Sequence, residues 1–244
     1  MSEFTLGLAL FDCVPVILTA VAVHMLVGMV RDAAVPNAWV SAVGATLIVL
    51  GGACKASWKL NLVLTSTDST WLANLLFPLM APGFALLCAG VWLALRSRRG
   101  QSTPGWFWAV AIGLIAVTSA AALAQQLTSD AVRAWFQPVL SLASLSNITL
   151  TVLLVSAAIA RRQWLLGGLF LVNLAMVFVL IPISQIEPMT VQVHWFEQSL
   201  TSVGSAAFAL ASLRLRVLLA LATPHTETTA QANLKRLPTP DAMA

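Results

Sequence analysis

Long apolar runs, broken at short intervals by clusters of Arg, Asp, Ser, Gly and Pro, set the pattern of this chain. Seven of them reach the length of about 20 residues that carries a helix across a hydrocarbon core of about 30 Å. They fall at about residues 5–30, 38–63, 70–95, 105–127, 134–160, 164–185 and 190–213. The intervening stretches are RDAAVPN (31–37), TSTDS (65–69), RSRRGQSTP (96–104), TSDAVR (128–133), RRQ (161–163) and QIEPMT (185–190), none long enough for a soluble domain. The pattern predicts an all-α polytopic membrane protein: a seven-helix transmembrane domain over 1–222 and a polar, Pro-containing, disordered cytoplasmic tail over 223–244. The first run has no basic region before it and outlasts a signal-peptide core, so it is expected to stay as a helix.

Charge orients the bundle. If the helices alternate in direction, Arg31, Arg96, Arg98, Arg99, Arg161, Arg162, Arg214 and Arg216 share one face, and Arg133 alone among the connecting arginines lies on the other. The positive-inside rule then puts the N-terminus outside and the C-terminus in the cytoplasm. The outer connections carry Asp68, Asp130 and Glu187. Trp39, Trp71, Trp92, Trp106, Trp135, Trp164 and Trp195 fall near predicted helix ends, where an indole buries its rings and keeps its N–H wet.

Composition agrees and narrows the classes. With 59% hydrophobic residues, 9% charged and a mean hydropathy of +0.88, the chain lacks the charged exterior of a soluble domain. The net charge of +4 reports orientation in the membrane, and no nucleic-acid partner is expected. Cys13, Cys54 and Cys88 lie inside apolar runs without paired spacing and are expected to pack as small core residues. The bilayer itself is the first expected partner, with a bacterial inner (plasma) membrane as the default location.

The stretch GGACKASWKL (51–60) breaks the pattern, because Lys55 and Lys59 stand one turn apart inside the second run. A lysine at mid-membrane costs about 2.5–3.5 kcal/mol, against about 0.3–0.6 gained per Val, Ile or Leu, so two central lysines would cancel the run's preference for lipid. Lys59, near the outer end, is expected to snorkel, whereas Lys55 lies deeper and needs a partner. Asp12 on the first helix and Glu197 on the seventh lie at the level of Lys55, and two acids with two bases make a neutral buried set.

Helix 7 extends the set through a stripe of His194, Glu197, Thr201, Gly204 and Phe208, and helix 5 offers Ser141, Ser144, Asn147 and Thr151. Gly51, Gly52, Ala56 and Ser57 are small enough to let neighbouring helices come close. Pro78, Pro82 and Gly83 predict a kink in the outer half of helix 3, and Pro182 a looser end to helix 6. The candidate ligand-binding residues are therefore Asp12, Lys55, Lys59, His194, Glu197, Thr201 and Asn147, with no catalytic or metal set assigned.

No cofactor motif is present. A retinal Schiff base would call for a lysine on helix 7, which has none; His24, His194 and His225 cannot converge on zinc or haem, and neither GxSxG nor HExxH occurs. The expected function is a receptor-like sensor that takes a small charged molecule or ion in an outward-facing polar pocket between helices 1, 2, 3 and 7. Its output would pass through the arginine-rich loops, a signalling partner or a second copy of the chain. The alternatives are a proton-coupled small-molecule transporter and a membrane-embedded lipid-modifying enzyme using Glu197 and His194 as acid and base.

Overall fold

The computed structural model describes residues 5–129, 131, 133–183 and 190–221. Among them it contains helices and no strand: α1 (Leu6–Phe11), α2 (Cys13–Asp32), α3 (Trp39–Thr65), α4 (Thr70–Asn74), α5 (Leu76–Arg98), α6 (Phe107–Thr128), α7 (Phe136–Ala160), α8 (Trp164–Ile183) and α9 (Val191–Leu221). Two of the boundaries are proline breaks within a single rod. Pro15 has no N–H to offer the Phe11 carbonyl, and the helix is interrupted at Asp12; Pro78 denies Asn74 in the same way, and the interruption falls at Leu75. Rejoined across these breaks, six helices are long and apolar enough to cross a membrane: Leu6–Asp32, Trp39–Thr65, Thr70–Arg98, Phe107–Thr128, Phe136–Ala160 and Val191–Leu221. This is the architecture of a multi-pass membrane protein. The apolar helix α8 packs between α7 and α9. Asp130, Glu187, the surroundings of Pro182 and the tail, with His225, lie outside the described residues.

The helices close a ring in the order α2, α3, α5, α7, α8, α9 and back to α2, while α6 stands outside it against α5 and α7. Glycine sets the tightest joint. A Cβ on Gly83 would stand 2.7 Å from the Gly44 carbonyl oxygen and from Ile48 Cγ1, and one on Gly44 would stand 2.7 Å from the Gly83 carbonyl oxygen. The backbones of α3 and α5 thus meet directly, without the side chains that usually separate helices.

Packing differs sharply between the two ends. From Ala81 to Leu95 nearly every α5 residue is buried, whereas none from Thr70 to Met80 is. The half toward the arginines is filled by Leu26, Leu87, Leu150, Leu154, Phe170 and Phe208. That end is also fastened across helices: Trp108 Nε1 donates to the Pro36 carbonyl at 3.0 Å, Ser97 Oγ to the Ala33 carbonyl at 2.9 Å, and Arg98 Nη1 to the Leu219 carbonyl at 2.7 Å. Arg216 Nε meets Asp32 Oδ2 at 3.0 Å, its guanidinium lying across Gly28 where any Cβ would collide with it. The bundle is closed at the arginine end and looser at the end where the described chain begins.

At the looser end the turn after α3 is held by side chains. Ser66 takes a left-handed φ of 54°, Asn61 Nδ2 donates to Ser69 Oγ at 2.9 Å, and Asp68 Oδ1 accepts from Trp58 Nε1 and Thr70 Oγ1, both at 2.8 Å. These two donors hold the Asp68 carboxyl below its ordinary value of 3.8. Because the folded value is the lower one, the contribution to stability is complete above pH 3.8 and fades as pH falls through the folded value. Amide protection factors over residues 65–70 should therefore stay level from pH 7 to 5 and decline only below about 3.8, and Asp68→Ala should show the lowered protection already at pH 7. Unchanged protection in that variant would mean the turn does not depend on the carboxylate.

Candidate functional site

The break at Asp12 positions the first acid. Asp12 closes α1 and precedes α2, so its carboxylate leaves the rod where the backbone ladder is interrupted, facing α3. Lys59 meets it there at 2.6 Å, with the two side chains only 3% and 4% exposed. One turn away on α3, Lys55 Nζ stands 3.7 Å from Glu197 Oε1 of α9, and these side chains are 37% and 17% exposed. His194 Nδ1 lies 3.7 Å from Glu197 Oε2 at i,i+3 spacing. The four ionic groups interact as one neutral set, since Asp12 and Lys59 each feel both members of the other pair.

The lysines have exchanged the parts that depth alone assigns them. Lys59 does not snorkel; it is the sealed lysine, because α3 runs on to Thr65 and Lys59 faces the α1–α2 rod. Gly52, two turns earlier on the same face, packs against Val16 of that rod. Lys55 is paired not with Asp12 but with Glu197. Its orientation follows from its glycine neighbours: Gly51 looks onto Leu76 and Met80 of α5 and Gly52 onto Val16 of α2, so Lys55, a turn further along, points between those helices into the bundle. Lys55 thus lies on the bundle-facing side of α3 and keeps a side chain that is 37% exposed.

The other expected members lie at different distances from this set. Thr201 Oγ1 donates to the Glu197 carbonyl at 2.8 Å, turning back on its own helix. Asn147 is half-buried on α7, whose neighbours are α5, α6 and α8, so the helix 5 stripe does not join the wall formed by α1, α3 and α9. Ser141 Oγ bonds to the Gln137 carbonyl of its own helix at 2.9 Å, and Thr151 is buried. Gly204 faces Met176 and Asn173 of α8, and His24 is exposed. Helix 3 is interrupted at Leu75, as Pro78 dictates; Pro82 remains inside α5, and Pro78 and Pro82 line a cavity of about 220 Å³ with Ile115, Thr118, Trp135 and Leu142. The prolines thus face α6 and α7, and α5 meets α3 one turn below Lys55 through Met80 at Gly51.

Sequence reasoning missed a second polar series on α9. Gln198 and Ser205 are buried, Ser205 Oγ accepts from Thr19 Oγ1 of α2 at 3.3 Å, and Ser212 lies deeper still. Spacings of four and seven from His194 and Gln198 place these residues on one face, a signal that attention to the charged stripe obscured. The Asp32–Arg216 pair was legible too, since Asp32 ends the first rod and Arg216 lies near the end of the last one, on the same side of the bundle. No group of three or more His, Cys, Asp or Glu able to hold a metal ion occurs among the described residues. Comparison with protein-family models, with curated proteins and with solved structures gives no match.

Proposed function

We propose that this protein is a receptor-like sensor that binds a small charged molecule or ion in a polar chamber open on the N-terminal side, lined by Lys55 and Glu197 with His194 beside them. The contrast between the two ion pairs carries the reading. Asp12–Lys59 is in direct contact and sealed, as a structural pair should be, whereas Lys55–Glu197 is separated by 3.7 Å and partly accessible. Ionic groups inside a membrane bundle are costly, and those kept apart and reachable are poised to exchange each other for a ligand. The closed arginine half supports sensing over passage, because it supplies a rigid base on which shifts at the loose end can be read.

Accessibility tests this reading. With Cys13, Cys54 and Cys88 replaced by alanine, Lys55→Cys should react with a charged, membrane-impermeant thiol reagent applied from the N-terminal side, the side the positive-inside rule predicts to be outside the cell. Ile48→Cys, on the buried face of α3, should stay unmodified. A Lys55→Cys protein that resists the reagent from both sides has no chamber, and the reading ends there. The buried series Gln198, Ser205 and Ser212 running toward Asp32–Arg216 favours the second reading, a proton-coupled transporter. Uptake into sealed vesicles driven by a pH gradient separates the two.

A further inference from the structure

The chamber's own charges specify what fits it. We propose that its ligand is a small zwitterion bearing both an ammonium and a carboxylate, seated between Lys55 and Glu197; this rests on the chamber proposed above. Asp12, Lys55, Lys59 and Glu197 sum to zero charge. Asp12–Lys59 is unavailable to a ligand, being direct and sealed by α1 and α3. The exchangeable groups are one base and one acid on facing helices, Lys55 on α3 and Glu197 on α9.

A singly charged ligand would pair with one of these and separate the other from its counter-charge, which costs more in a partly buried site than at an open surface. Nothing charged among the described residues lies directly beneath to compensate: on the α3 side Met80 packs on Gly51 and Val16 on Gly52, one turn below Lys55, and on α9 the buried groups that follow, Gln198 and Ser205, are polar but carry no charge. A zwitterion inserts its carboxylate at Lys55 Nζ and its ammonium at Glu197, so both charges keep a partner and the set stays neutral. Glu197 is suited to receive an ammonium. Among the described residues its two oxygens stand 3.7 Å from Lys55 and 3.7 Å from His194, beyond direct hydrogen-bond length, so neither of these two partners occupies a carboxylate oxygen with a short contact.

The experiment uses the full chain in nanodiscs and measures thermal shift and calorimetric binding of glycine, 3-aminopropanoate, 4-aminobutanoate and 6-aminohexanoate against butylamine and butanoate at pH 7. At least one amino acid of the series should bind tenfold or more tightly than either singly charged probe. Lys55→Met should lose that affinity and come to prefer butylamine, and Glu197→Gln should come to prefer butanoate. Such opposite switches are not produced by general loosening of the fold. Wild-type protein that takes butylamine or butanoate as well as the amino acids overturns the zwitterion class and leaves the chamber standing. Absence of binding by every probe also overturns it; Lys55→Cys labelling then tells whether the chamber survives.

Discussion

Replacing Asp12 with alanine should destabilise the bundle by about 3–5 kcal/mol, the typical cost of leaving one member of a buried ion pair without the other. Lys59 is 2% exposed and faces the α1–α2 rod, so it has no ready path to water once the carboxylate is gone. The charge, not the contact area, should account for the loss. Asp12→Leu combined with Lys59→Met removes both ions and fills similar volume, and it should return stability to within about 1 kcal/mol of wild type or exceed it. Denaturation in a defined detergent, or steric trapping in nanodiscs, measures all of these. A single-variant loss under about 1 kcal/mol would place the pair in contact with water and remove the distinction between a sealed and an open pair.

Gly83→Val should cost about 3 kcal/mol or more through overpacking. The first atom it adds meets the Gly44 carbonyl and Ile48, and a backbone oxygen cannot rotate aside as a flexible side-chain end can. Relief requires α3 and α5 to separate. Because α3 also carries Lys55 and Lys59, that separation should disturb both ion pairs, so reactivity at Lys55→Cys should change together with stability. Gly113→Ala and Gly168→Ala provide the control, since a Cβ at either position meets nothing within 4 Å and should be tolerated. Similar losses in all three would point to a general aversion to larger residues and away from the α3–α5 crossing.

The rods themselves were legible because the signal is collective: some twenty apolar residues in succession outweigh any one exception. Even the meeting of Asp12, both lysines, His194 and Glu197 followed from counting residues down each helix, since a rise of 1.5 Å per residue makes depth readable. Which lysine would be sealed did not follow. Depth is a coordinate along the helix, whereas burial also depends on the angle around it, and Lys55 and Lys59 differ in the neighbours that Gly51 and Gly52 admit. The same limitation affected Asn147: at suitable depth on α7, it belongs to a helix whose place in the ring is beside α5, α6 and α8. Helix order around a ring is a long-range property that periodicity within one segment does not encode. The two breaks were only half anticipated, because attention to Pro78 and Pro82 passed over Pro15, which interrupts the chain at the very acid the site uses.

The fastenings at the arginine end leave an uneven imprint on what this sequence can tolerate. Trp108, Ser97 and Arg98 each reach to a main-chain carbonyl, at Pro36, Ala33 and Leu219. Every amino acid carries that oxygen, so the receiving positions can drift in identity as long as the backbone keeps its path, while the donors cannot. Variation is thus cheap on one side of each link and expensive on the other.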